Sequence, residues 1–395
     1  MSKIKTFQVT EQGDKLSSWL KMSGMTFDPF VALEASGDPH LSKYLIEHNE
    51  FVNLWGNWPN IVLAPPGAGK TAMRIKLTQA CFTGGGKNRP FPINYSLPFL
   101  SWGNREITFE DHLSEIMHKA GLFLLLYLAY KPHRFFALTE IDRHYVSKVI
   151  NWILPGPIST YLEPCQRMGN LEYLEQQFPP AILPPSPQEI MDLNDLWEEI
   201  TRNLKTNIER PSLVERWEAM VDILIRVLKF PSIYILVDGV DASPQTGANP
   251  KLGIMYLSSL LFRITIWSEN KIFLKFFLPQ DITNYLSQKL KETGEDITPI
   301  EIQWPETALA EVIRKRVYVA SEGNFGSLEI FASPAISDLE MRISKKIHTI
   351  RPLPREMLVF TRQLLITHAN GNKPEDQIQP NELEKTFRWY QVNNN

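Results

Sequence analysis

Residues 60–78 read N-I-V-L-A-P-P-G-A-G-K-T-A-M-R-I-K-L-T, an apolar run that enters a glycine-containing loop and leaves it as a helix. Ile61, Val62 and Leu63 are β-branched or apolar and predict a short buried strand. Residues 64–71 spell A-P-P-G-A-G-K-T, and residues 72–78 continue with good helix formers. A loop between strand and helix points backbone N–H groups at one spot, and the positive end of the following helix adds to the pull on an anion. Pro66, Gly67, Ala68, Gly69, Lys70, Thr71 and Ala72 are therefore the expected cradle for nucleotide phosphates. Gly67 and Gly69 let the backbone approach closely, Lys70 reaches the β- and γ-phosphates, and the Thr71 hydroxyl ligates Mg²⁺. The spacing matches G-x-x-x-x-G-K-[ST], with Ala64 in the first glycine position. The plain alternative is a tight turn that happens to contain Gly-Lys-Thr.

A phosphate loop calls for a magnesium-holding strand further on. Residues 231–243, P-S-I-Y-I-L-V-D-G-V-D-A-S, supply a candidate: Ile233 to Val237 is an apolar, β-branched run that ends in Asp238. A central strand of a parallel sheet is buried on both faces and reads as continuous, not alternating. Asp238 is expected beside Thr71, where it would hold the hydration shell of the Mg²⁺. Asp241 is the candidate for polarising an attacking water. The competing reading is an ordinary turn after a core strand.

With 395 residues, 43% hydrophobic and 22% charged, the chain has room for two or three globular domains. A net charge of -3 gives no general reason to bind nucleic acid or anionic membrane. The two cysteines, Cys81 and Cys165, belong to no CxxC or Cys/His cluster, which argues for a reducing compartment and against structural zinc. The N-terminus is too polar for a signal peptide. The longest apolar run, residues 121–130, is about half the length a bilayer span needs. The expectation is a cytoplasmic protein with no membrane contact.

Further strands are expected near Ile93, Ile272 and Ile300, which with Ile61 and Ile233 makes at least five. Residues 84–86, G-G-G, read as a loop. Between residues 105 and 230 lies far more chain than one crossover needs. It reads as helices at 110–130, 139–154, 187–204 and 211–229, joined by proline-stiffened connectors at 154–164 and 178–187. This helical insertion is the expected surface for a protein partner or another copy of the chain. A helix is expected at 254–267, and one carrying Leu41, Tyr44, Leu45 and Ile46 on one side ahead of the first strand. Phe27 and Phe30 are read as packing residues first and as an adenine cover second. After Trp304 only helices are expected, at 307–319, 335–347, 354–368 and 381–392. The domain expectation is a helical segment at 1–53, a core at 54–304 and a helical lid at 305–395.

On A-P-P-G-A-G-K-T, D-G-V-D after I-L-V, the polar Gln280–Asp281 position after a strand, and the helical C-terminus, the chain resembles the AAA+ and STAND groups of P-loop ATPases, the latter including NACHT domains. The resemblance covers roughly residues 26–367. It implies an α/β fold: a P-loop NTPase parallel sheet flanked by helices, with a helical insertion and a C-terminal all-α lid. It implies ATP and Mg²⁺ as ligands, a nucleotide-driven switch of assembly or lid position, and slow hydrolysis. The NACHT branch carries a further acid where this chain has Ala242, which leaves Asp241 as the sole candidate base. R-P-L-P-R-E-M-L places Arg355 where relatives hold a sensor arginine, so Lys70, Asp241 and Arg355 form the expected catalytic set. Arg314, Arg316, Arg143 and Arg263 are weaker candidates for an arginine finger acting in trans. A bacterial defence role follows by family analogy alone. The rival readings are a DNA-associated AAA+ regulator and a non-catalytic scaffold with a structural nucleotide.

Overall fold

The computed structural model describes residues 12–83, 89–98, 107–169, 171–176, 193–202, 210–371 and 376–394. Among these residues five strands form one sheet: β1 (Asn60–Ala64), β2 (Phe91–Tyr95), β3 (Ile233–Val237), β4 (Ile272–Pro279) and β5 (Ile300–Glu301). The order is β2-β3-β4-β1-β5, and all pairs are parallel. The protein is thus α/β, with helices flanking the sheet. Every residue of β1, β3 and β4 is buried, the cause of their largely apolar sequence, which only Asn60 in β1 and Tyr234 and Lys275 in β3 and β4 interrupt with polar groups. β5, at the position expected near Ile300, is a strand over only two residues.

The register sets two faces. Ile61, Ile93, Ile235, Leu274 and Phe276 share one of them and belong to a continuous apolar core. Phe91 on that face meets Phe123 edge-on, with 5.2 Å between ring centroids. The opposite face carries Asn60, Asn94, Tyr234 and Lys275, and helix Lys70–Thr83 lies on it, Thr78 Oγ1 donating to Asn94 Oδ1 at 2.8 Å.

The helices used below are α1 (Gln12–Met22), α2 (Lys70–Thr83), α3 (Phe109–Tyr130), α4 (Glu140–Ile153), α5 (Ser159–Met168), α6 (Leu193–Arg202), α7 (Leu213–Asp222), α8 (Pro250–Leu261), α9 (Thr283–Thr293), α10 (Glu306–Ala320), α11 (Leu339–Ile350), α12 (Pro354–Gly371) and α13 (Pro380–Asn394). α3 starts on a capping box: Asp111 N–H donates to Thr108 Oγ1 at 3.2 Å and Thr108 N–H to Asp111 Oδ2 at 2.9 Å. Its apolar half, residues 121–130, is buried protein core, and no helix among the described residues is long and apolar enough to cross a membrane. α7 starts on the same device, Ser212 with Glu215, and runs on into a π-helical turn, Ile223–Val227.

Three expectations need correcting. Residues 154–164 are not simply a connector, because α5 begins within them and contains Pro164. Burial of Leu162 and Cys165 holds that helix despite the proline. The helix expected around 41–46 is a single turn, Leu41–Tyr44, that ends where Leu45 turns extended at ψ 123°. Residues 254–267 are not one helix but α8 and a short second piece, Ile264–Glu269. The Gly-rich loop at 84–86 and the proline-rich stretch at 178–187 lie outside the described residues, as does the start of the helix expected at 187–204.

The chain divides into two compact units, one of residues 1–48, 67–69 and 303–395, the other of residues 49–66 and 70–302. The second unit holds the sheet. In the first, the N-terminal segment is built into the C-terminal helices: Thr26 N–H donates to Ala320 O at 2.8 Å, and Arg362 pairs with Asp28 at 2.9 Å.

Candidate functional site

The loop after β1 turns on two glycines in the left-handed region, Gly67 at φ +90° and Gly69 at φ +93°. Side chains rarely adopt that backbone, so the glycines are required by conformation. Gly67 is also required by space, since a Cβ there would come within 2.9 Å of Arg355 Cβ. Within the first unit the three loop residues are held by two bonds. Trp304 Nε1 donates to Ala68 O at 2.8 Å, and Arg355 N–H donates to Gly67 O at 3.3 Å.

In the second unit, Lys70 opens α2 and is 7% exposed. Its Nζ donates to Ala64 O at 2.8 Å and to Pro65 O at 3.4 Å, and lies 4.0 Å from Asp241 Oδ2. The ammonium thus caps carbonyls of the loop it follows, and phosphate oxygens would compete with those carbonyls for it. Thr71 and Ala72, half-buried, complete the first turn of α2.

β3 delivers Asp238 to the carboxyl edge of the sheet, where its N–H continues the ladder to Tyr95 O at 3.0 Å. Both carboxylate oxygens are engaged: Oδ1 accepts from Gly239 N–H at 2.8 Å and Oδ2 from Arg74 Nε at 2.9 Å. Arg74 and Asp238 are both buried, and Arg74 Nη1 is enclosed without a hydrogen-bond partner. Magnesium seeks a carboxylate whose charge is unspent and keeps most of its own water. Asp238 as placed, buried and already neutralised by a guanidinium, does not fit that demand. Asp241, three residues on, is 30% exposed and is the more accessible carboxylate.

Because β4 separates β1 from β3, its end falls between theirs, and Gln280 and Asp281 there are exposed. Gln280 O accepts from Thr283 Oγ1 at 2.5 Å. The arginine-finger candidates are each engaged inside the chain. Arg316 is 7% exposed and donates to Asp38 Oδ2 and Pro29 O while stacking on Tyr44, Arg314 pairs with Asp338, Arg143 with Glu199, and Arg263 lies over Phe109. Phe30 is fully buried and Phe27 stacks on His40, so both pack. Cys81 and Cys165 are free and buried, and burial pushes the Cys81 thiol up to about 12. A separate acidic group, Glu329, Asp338 and Glu340, brings carboxylate oxygens within 4.8 Å of one another; Arg314 and the N–H groups of Leu328 and Asp338 already meet them.

Sequence reasoning missed Arg74 and Lys275. The signal for Arg74 was its spacing, four residues after Lys70 and so on the same side of the helix. For Lys275 it was the one charge inside I-F-L-K-F-F-L, residues 272–278, a run otherwise apolar. No family model, no curated protein and no solved structure matches this chain.

Proposed function

We propose that the protein is a nucleotide-binding switch of the P-loop ATPase kind, in the AAA+ or STAND manner, that binds ATP at the loop of residues 64–71 and hydrolyses it slowly at most. One observation carries the reading. A fully buried parallel strand, β1, ends in a loop that needs glycine at two left-handed positions and passes directly into a helix whose first residue is the lysine. That is the arrangement in which backbone N–H groups and a helix N-terminus receive phosphate. Asp241, half-exposed beside Lys70, is the residue we assign to the attacking water, and Arg355 the sensor of the γ-phosphate. The helices between β2 and β3 are the insertion that would meet a partner. Neither the net charge of -3 nor any feature of the described residues favours the DNA-associated reading.

The test is calorimetric titration of the full chain with ATP. Lys70→Ala should lower affinity by at least about a hundredfold, roughly 3 kcal/mol of lost charge-assisted bonding. Undiminished affinity in that variant sinks the proposal.

A further inference from the structure

The groups around Asp238 balance their charges without a metal. Lys70 and Arg74 bring two positive charges and Asp238 and Asp241 two negative ones, joined as pairs at 4.0 Å and 2.9 Å. Remove Arg74 and the same site carries an excess negative charge at a buried carboxylate, the condition that calls for a cation. With Arg74 present that need is met from within the fold.

We propose that Arg74 occupies at Asp238 the place a divalent cation takes in metal-dependent nucleotide sites, so that this chain binds nucleoside triphosphate without requiring Mg²⁺. The proposal rests on the nucleotide reading above. Four features support it. Asp238 has a protein donor on each oxygen, Arg74 on one and the Gly239 N–H on the other, so a metal would have to share its oxygen with a donor already in place. The pair is buried on both sides, with the Arg74 and Asp238 side chains 8% and 10% exposed, and breaking it strands a charge away from water. The guanidinium is mounted on α2, one turn after Lys70, so the helix that presents the lysine to the loop also holds Arg74 against Asp238. Arg74 Nη1, enclosed with no acceptor, adds a spare donor to a place where a metal would need spare acceptors.

The experiment is the same titration run twice, with MgATP and with ATP in excess EDTA, on the wild type, Arg74→Gln, Arg74→Lys and Lys70→Ala. The wild-type dissociation constants in the two media should agree within about threefold, whereas Arg74→Gln should bind at least about tenfold more weakly in EDTA than with Mg²⁺. Arg74→Lys, which keeps the charge, should stay near the wild type. A wild type that loses tenfold or more in EDTA overturns the proposal by itself, whether or not the variants fold, and so does an Arg74→Gln variant no more metal-dependent than the wild type. In either case ATP binding abolished by Lys70→Ala leaves the nucleotide reading standing. A wild type that binds ATP in neither medium removes both.

Discussion

Lys275 sits in the middle of the central strand with no surface exposed. Its Nζ donates to Gly56 O at 3.1 Å, Trp58 O at 2.7 Å and Asn60 Oδ1 at 2.5 Å, and lies 4.6 Å from the centre of the Tyr234 ring. The Cys81 thiol faces it weakly, and Arg89 stacks on nearby Trp55. Burial pushes the ammonium down to about 7 from its usual place above 10. The sign follows from proton counting. Between pH 7 and about 10 the unfolded chain holds a proton on this lysine that the folded chain has released, so its contribution to stability rises with pH by up to about 1.4 kcal/mol per unit. Below pH 7 both states hold the proton and the cost of burying it is at its full value. Chemical denaturation at pH 7 and pH 9 should therefore show a gain for the wild type that Lys275→Met lacks. Equal pH slopes in the two proteins would refute it. The lysine itself stands plainly in the sequence, but its cage does not, because the acceptors come from residues 56–60, which only the β1–β4 pairing brings alongside.

Among the elements, those that announce themselves are the ones whose sequence obeys a single demand. β1, β3 and β4 are buried on both faces and therefore read as apolar runs apart from Asn60 and Lys275, and α3 and α7 begin at Thr108 and Ser212, each followed three residues later by an acid. The loop of residues 64–71 was legible for the same reason, since its glycines answer a backbone requirement that no other residue meets cheaply. α5 was hidden because local and tertiary preferences conflict. Pro164 stands at its sixth residue, where it removes the bond its N–H would make one turn back and crowds that carbonyl. Gly169 at φ +63° then closes the helix. Relieving the conflict should stabilise the protein: Pro164→Ala is expected to gain about 1–3 kcal/mol and raise the melting temperature by several degrees. An unchanged or lowered midpoint would mean that the proline helps the native backbone more than it hinders the helix.

On the scale of the whole molecule, the first unit takes its core from both ends of the chain. Leu16, Trp19, Leu20 and Phe30 are 0–3% exposed, and Trp19 packs edge-on against Phe331 and His368. Asp38 neutralises the buried Arg316. A chain begun at Asn49 would expose that apolar surface and leave Arg316 without its carboxylate. Such a variant should lose the cooperative unfolding of this unit and bind a hydrophobic dye; a two-step melt identical to that of the full chain would show that residues 303–395 hold together alone. This arrangement was the least legible in sequence, because it depends on contacts such as Thr26 with Ala320 that leave no periodic trace in either segment.

The strand order has a consequence for synthesis. β1 pairs with β4 and β5, with Asn60 opposite Lys275, so more than 200 residues must emerge before either of its edges is covered. At about 5–20 residues per second, that leaves β1 on the ribosome for roughly 10–40 seconds with no neighbour in the sheet. β2 waits in the same way for β3. The nascent chain thus carries two apolar strands with open edges, the kind of surface that recruits chaperones or aggregates. On the proposed function, nucleotide binding would accordingly be a late acquisition of the growing polypeptide. A fragment that stops short of Ile272 would contain every residue of the 64–71 loop and none of β4, the strand that β1 pairs with ahead of that loop.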